Sequence, residues 1–196
     1  PSIEGSAVLL KRELTGGALR ASLIQGTSNN PFTDGGRELF DAAGQGRIDV
    51  FFLGGVQIDG QANLNLVGTG EYPALERRFP GSFGSPYMYF TVPNVILFRP
   101  EHTRRVFVEK VDFISAPGVS PPDVQRIGGP KALVTELCLM SFDRDKGRFR
   151  LESVHPGHSV EEVRDTPVIA GAVRLSGADA LAGAGTVLVD PGQGLG

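Results

Sequence analysis

One stretch constrains the chain more than any other: residues 48–70, reading IDVFFLGGVQIDGQANLNLVGTG. Its first six residues are β-branched, aromatic or aliphatic apart from Asp49. A short apolar run of that kind predicts a strand buried on both faces, as in a parallel sheet. The run stops at Gly54-Gly55. Glycines directly after a buried strand permit a sharp turn and let a ligand come close to the main chain. In open α/β sheets, ligands bind beyond the carboxyl ends of the strands. An isolated glycine pair is more often an ordinary turn, so its meaning rests on what surrounds it.

Upstream, residues 19–25 (LRASLIQ) read as a strand ending at Gly26. Asp34 is expected to cap a helix over residues 37–43, closed by Gly44 and Gly46. Strand, helix and strand in that order predict a right-handed βαβ crossover. Downstream, residues 64–67 suggest a short strand, 79–86 a Gly/Ser/Pro loop opening onto a short helix, and 94–98 another buried strand. Residues 105–114 alternate apolar and polar over part of their length, the period of a half-exposed strand. Four prolines and three glycines make residues 115–130 a long loop. Residues 132–142 and 148–154 flank the turn signal DRDKG, predicting a hairpin. Ser159 caps a short helix over residues 160–164, with Glu161 and Glu162 where the helix dipole favours carboxylates. Beyond Gly171 the chain is mostly Gly, Ala, Val and Leu, a tail read as poorly packed or docked on a partner. With no internal repeat and no clear linker, residues 1–196 are expected to form a single domain.

Composition narrows the function. A net charge of −3 and a pI near 5.6, with no dominant basic patch, argue against nucleic acid as a partner. The longest apolar runs fall far short of the roughly 20 residues a membrane helix needs, and nothing argues for secretion, so the cytoplasm is the expected location. Cys138 is the single cysteine and lies in an apolar run, a core residue rather than a nucleophile. His102, His155 and His158 are scattered, and the last two bracket Pro156-Gly157, an exposed turn rather than a metal pair. No Ser/His/Asp triad, P-loop or zinc-ligand spacing is present, so no metal is expected.

Two features carry chemistry. Backbone N–H groups in the glycine turns, at Gly54-Gly55 and from Gly81 to Gly84, can point at an anion or a developing oxyanion; the alternative is ordinary surface loops. Glu4 stands beside Gly5 at the end of an apolar segment, where a carboxylate can act as a nucleophile; the alternative is a solvated terminal glutamate.

With these residues in hand, the sequence resembles the β subunit of family I coenzyme A transferases, closest to the glutaconate type. The matching stretches are FLGGVQIDGQANLN, PGSFGSP, RRVFVEKVDFISAPG, LVTELCLMSFD and VHPGHSVEEVRDTP, which together cover most of residues 19–168 in the expected order. The resemblance implies an open α/β fold with a mostly parallel sheet flanked by helices. It implies a heterodimer or α2β2 tetramer with an α subunit of related fold and the active site between them. It implies acyl-CoA and a carboxylic acid as substrates, CoA held as substrate with no permanent cofactor, and a β-subunit glutamate that carries CoA covalently. Carried onto this chain, the nucleophile is Glu4, 50 positions before Gly54. The CoA and acyl group fall to Gly54, Gly55, Val56, Gln57, Gly81 and Gly84. The local order Glu4-Gly5-Ser6 departs from the family's Glu-Ser-Gly, and the family's first strand and helix are expected to be missing ahead of it. The chain is also similar to the β subunits of steroid-ring-opening CoA-ester hydrolases, through Gly84-Ser85-Pro86, residues 105–109, and His155-Pro156-Gly157 with Val163-Arg164-Asp165. A third alternative is a non-catalytic scaffold subunit.

Overall fold

Asp34 opens the first described helix, α1 (Gly35–Gly44), by accepting from the Arg37 backbone N–H at 3.5 Å. Glu38 closes the same end from the other side, accepting from the Thr33 N–H at 2.7 Å and hydroxyl at 2.8 Å. The cap is the expected one, and the helix starts two residues earlier than its composition suggested. The computed structural model describes residues 32–165. Glu4, the expected strand at 19–25 with its crossover, and the tail from residue 171 lie outside them. The chain divides into two units, Pro1–Gln45 and Gly46–Gly196. Helix α1 belongs to the first, and everything below belongs to the second.

The second unit is built on a five-stranded sheet. In chain order its elements are β1 (Val50–Leu53), β2 (Gln57–Ile58), β3 (Leu64–Asn65), β4 (Gly68–Thr69), β5 (Arg77–Arg78), α2 (Ser85–Thr91), β6 (Asn94–Phe98), β7 (Pro130–Val134), β8 (Cys138–Asp143), β9 (Arg148–Val154) and α3 (Val160–Arg164). The sheet order is β1-β6-β7-β8-β9. Strands β1, β6 and β7 are parallel, β8 runs against β7, and β9 against β8, so four of the five point one way. This is the open α/β class with a mostly parallel sheet. Val95 and Leu97 of β6, Leu133 of β7, Met140 of β8 and Phe149 and Leu151 of β9 fill its core.

Three expectations need correcting. First, β1 is not buried on both faces: Val50 is 45% and Phe52 44% exposed, and of the strand only Leu53 is buried. Among the described residues β1 is an edge strand, paired with β6 alone, and an edge has one neighbour fewer to cover it. Second, residues 105–114 form no strand. They are a strap whose apolar members Val106, Phe107 and Val111 turn inward, pinned to β2 by Ile58 N–H donating to Val106 O at 2.7 Å and Val108 N–H to Ile58 O at 3.1 Å. The buried positions, 106, 107 and 111, do not keep a pleat's period of two. Third, residues 132–142 are two antiparallel strands rather than one, split by a turn at Thr135. Its hydroxyl accepts from the Leu137 and Cys138 N–H groups at 3.1 and 3.2 Å, a side-chain turn that competes with the sheet ladder. Likewise the strand expected at 64–67 stops at Asn65, for a reason that belongs to the site.

Candidate functional site

Strands β2 and β3 form a small antiparallel pair joined by residues 59–63, and this pair is a polar shelf. Gln57, Asp59, Asn63 and Asn65 are all buried, which is costly unless every polar group finds a partner. The partners are present. Asp59 accepts from the Gln61 N–H, the Asn63 N–H and the Asn63 side-chain amide, each at 3.0 Å. Asn65 donates to Gln57 Oε1 and Gly68 O, both at 2.7 Å, and accepts from the Val67 and Gly68 N–H groups at 3.0 and 3.2 Å. Those last two bonds turn the chain and end β3. Gln57 Oε1 also accepts from the Asp112 N–H at 3.0 Å, and Asn63 Oδ1 from the Gly118 N–H at 3.0 Å. The strap at 105–118 is therefore fixed to the shelf on both sides.

The shelf forces unusual backbone. Ala62 has φ +59°, a left-handed conformation uncommon for a non-glycine residue. Its carbonyl is held by the buried Tyr89 hydroxyl of α2, donating at 2.9 Å, and burial raises the Tyr89 pKa far above its usual range. Gly118 lies so close to the Gln61 carbonyl that a Cβ would overlap it, and would come within 2.6 Å of the Ala62 carbonyl carbon. No substituent fits there without moving main chain.

The sequence-predicted turns meet at this shelf. Val56 donates its N–H to Asn65 O at 2.9 Å. Gly81 packs on the next residue: a Cβ on it would overlap Leu66 O and lie 2.7 Å from Leu66 Cβ. Both glycine turns thus converge on residues 65–66. Within the first turn the roles differ. Gly55 is buried, and a Cβ there would stand 2.9 Å from Gln57 O and 3.2 Å from Ile58 Cγ1 and Leu64 Cδ2. Gly54 is exposed at the carboxyl end of β1, where an added Cβ would meet Phe98 O alone, at 3.2 Å. Gln57 is a member of the buried network, and Gly84 is the N-cap of α2, followed by Pro86 in the first turn. Ser82, between the two glycines of the second turn, has φ +78°.

Beside the shelf opens a cleft of about 700 Å³. One wall is the turn of Asp59, Gly60, Gln61 and Asn63; the other is the strap at Glu109, Lys110 and Ile114. Asp59, Asn63 and Lys110 are residues that the reading of motifs did not single out. The available signal was the density of amides and carboxylates in QIDGQANLN, within an otherwise apolar segment. Cys138 is a core residue as expected: burial pushes its thiol up to about 11, away from a nucleophile's range. His155 Nε2 lies 3.1 Å from Thr135 O, and His158 faces Glu162 at 3.5 Å. Among the described residues, no three His, Cys, Asp or Glu side chains are grouped to hold a metal ion, and no helix is long and apolar enough to cross a membrane.

Comparison with known proteins extends this picture. A family model described as Coenzyme A transferase matches residues 6–166, a span that holds the shelf, both glycine turns and the cleft and begins two residues after Glu4. The chain is 35% identical over 124 residues to a 3-oxoadipate CoA-transferase subunit of Pseudomonas knackmussii, covering 60% of this chain and 47% of that one. It is 33% identical over 121 residues to a glutaconate CoA-transferase subunit of Acidaminococcus fermentans, 58% and 45% of the two chains. It is 31% identical over 133 residues to the IpdB component of the cholesterol ring-cleaving hydrolase of Rhodococcus jostii, 66% and 52%. The chain thus spans about half the length of the relatives it matches. Among solved structures, Rhodococcus jostii RHA1 IpdAB superposes with a TM-score of 0.63 at 26% identity, over 74% of this chain and 62% of that one. Glutaconate coenzyme A-transferase from Acidaminococcus fermentans does so with a TM-score of 0.54 at 29% identity, over 65% and 52%.

Proposed function

The chain belongs to the coenzyme A transferase family, and from that premise we propose that it is the β subunit of an enzyme that moves CoA between an acyl-CoA and a carboxylic acid. The supporting observation is the Gly54 turn, at the carboxyl end of a parallel strand and braced by a rigid polar shelf inside the matched span. Such a turn presents main chain to a thioester without a side chain in between.

The chemistry is nucleophilic catalysis in two half-reactions. The Glu4 carboxylate attacks the thioester carbonyl, breaking the C–S bond and giving a mixed anhydride and CoA thiolate. The thiolate attacks the glutamyl carbonyl, releasing the first carboxylic acid as its carboxylate and leaving a glutamyl-CoA thioester. The acceptor carboxylate then attacks that thioester and expels CoA thiolate, which attacks the acceptor's acyl carbonyl. The new acyl-CoA leaves and Glu4 is regenerated. Backbone N–H groups at Gly54 and Gly55, with Val56, Gln57, Gly81 and Gly84 shaping the surface around them, stabilise the oxyanion formed at each attack. An α subunit of related fold completes the site, in a heterodimer or α2β2 tetramer in the cytoplasm.

A second reading is a CoA-ester hydrolase. It is favoured by the superposition on IpdAB, which covers more of this chain than the one on glutaconate CoA-transferase. Turnover by Glu4→Gln, reconstituted with its wild-type α subunit, separates the two. A transferase loses several orders of magnitude in kcat and needs an acceptor acid. A hydrolase whose acid and base lie on the partner stays within about tenfold, ~1.4 kcal/mol in the barrier, with no acceptor.

A further inference from the structure

Arg126 and Arg144 are drawn together around Gly129. Arg126 lies over the rings of Tyr89 and Phe90, 5.0 and 5.6 Å from their centroids. It donates to Tyr89 O at 3.0 Å and Pro117 O at 2.8 Å. Arg144, just after β8, donates to Gly128 O and, at 3.4 Å, to Ile127 O. A Cβ on Gly129 would stand 3.0 Å from Nη2 of Arg144 and 3.4 Å from Nη2 of Arg126, so both guanidinium ends reach one point. Gly129 has φ +142°, which with these two neighbours reserves the position for glycine.

Two like charges are held close here without an opposite one. Neither arginine makes an ion pair among the described residues, and the nearby Asp143 is committed to Lys146 at 2.8 Å. The Arg126 Nε is buried with no partner. Burial, and then the charge of Arg144, lower the Arg126 pKa, opposed only by the Tyr89 side chain. Guanidinium forks match the oxygens of phosphate in geometry as well as charge, and two of them balance a dianion where a single carboxylate leaves one charge over. A short chain of contacts links the pair to the cleft. Arg126 grips Pro117, and the adjoining Gly118 is packed on the Gln61 main chain, which lines the cleft wall.

We propose that Arg126 and Arg144 form a receptor for a phosphate group, and, resting on the function proposed above, that it takes a phosphate of the nucleotide arm of the acyl-CoA. The thioester end then lies toward the cleft and the Gly54 turn. Arg126 also staples the long loop to α2, so Arg144, on a hairpin turn, is the residue to change.

The test uses the complex with its α subunit and four probes at fixed ionic strength: inorganic phosphate, adenosine 3′,5′-bisphosphate, CoA and dephospho-CoA. Phosphate should raise the melting temperature of the wild type above that in an equivalent chloride buffer, and Arg144→Gln should abolish the rise. Arg144→Gln should also weaken adenosine 3′,5′-bisphosphate binding by about tenfold or more. If that variant does not fold, Arg144→Lys, which keeps the charge but loses the fork, should weaken it severalfold. Unchanged binding in the folded variant overturns the receptor. Arg144-dependent phosphate binding with Arg144-independent CoA binding keeps the receptor and overturns its assignment to the nucleotide arm. Arg144-dependent phosphate binding by a wild type that binds no CoA keeps the receptor and overturns the proposed function instead. A preference for CoA over dephospho-CoA that vanishes in Arg144→Gln identifies the 3′-phosphate; an equal loss for both identifies the diphosphate.

Discussion

The shelf at residues 57–65 and the hairpin of β8 and β9 are held in opposite ways. The hairpin is secured by apolar packing: Met140, Phe142, Phe149 and Leu151 are buried, and the Phe142 and Phe149 rings meet edge to face at 5.0 Å. The shelf buries Gln57, Asp59, Asn63 and Asn65 and satisfies them through hydrogen bonds to backbone and to one another. Apolar packing tolerates small adjustments, whereas a buried polar network fixes one geometry and penalises any unpaired member. The difference locates precision. The hairpin supplies stability to the sheet, and the shelf supplies a fixed shape behind the turn that we assign to the thioester.

The largest effect should come from the apolar side. Phe149→Ala is expected to cost ~3–5 kcal/mol in unfolding free energy, as for a large core truncation, while the folded fraction keeps its kcat. Chemical denaturation paired with turnover at low temperature checks both halves. If kcat collapses in the folded fraction, the hairpin is not merely a support.

Asn65→Ala should cost somewhat less, ~2–3 kcal/mol, because it strands the Val67 N–H and both polar groups of the Gly68 main chain and leaves Gln57 Oε1 with the Asp112 N–H alone. Unlike Phe149→Ala, it should also lower kcat in the protein that remains folded. Equal kcat in the two variants would erase the distinction between the regions.

A finer division runs within the glycine turn. Gly55→Val should destabilise by ~1–3 kcal/mol, since its Cβ meets Gln57 O at 2.9 Å. Gly54→Ala has room apart from Phe98 O at 3.2 Å, so it should leave the melting temperature within a few degrees yet reduce kcat/KM by blocking the approach of the thioester. A Gly54→Ala enzyme with unaltered kinetics would make the turn purely structural.

The smallest effect is a pH dependence where the strap meets the hairpin. His102 is buried, with Nδ1 2.9 Å from Thr135 Oγ1, its main-chain N–H donating to the Glu136 carboxylate at 3.1 Å, and its ring 4.9 Å from that of Phe107. Burial lowers its pKa, opposed by a Val163 main-chain hydrogen bond and by Glu136. The unfolded chain therefore takes up the proton first. Stability is full above the unfolded value of about 6.5 and falls as pH drops below it. Denaturation midpoints at pH 8 and pH 5.5 should differ more for the wild type than for His102→Gln; equal differences would remove His102 from the account.

What could be read from sequence follows the same contrast. The hairpin was legible because its information is local: alternating residues on either side of DRDKG, with Asp143 accepting from the Lys146 N–H at 3.1 Å and Gly147 at φ +58°. The caps at Asp34 and Ser159 were legible for the same reason. The glycine turns were recognised, but not that Gly55 and Gly81 are glycines because main chain leaves them no room. The shelf was only half legible: its local bonds, as Asp59 to Asn63 and Asn65 to Gly68, lie within the amide-rich stretch, but those that fix the strap join residues far apart in the chain, as Gln57 to Asp112 and Asn63 to Gly118. The strap misled for a related reason: part of its sequence alternates as a strand's does, while its buried side chains fall at 106, 107 and 111 and its hydrogen bonds go to β2 and β3.

The central claim is that this subunit carries CoA on a glutamate during turnover. The direct measurement is to incubate the reconstituted complex with acyl-CoA, reduce with borohydride, digest, and analyse the peptides by mass spectrometry. The account predicts that the peptide containing Glu4 is reduced at that residue, only when acyl-CoA is present, and that Glu4→Gln is not. Acyl-CoA turnover with an unmodified Glu4 and no modified carboxylate elsewhere in the chain would contradict it.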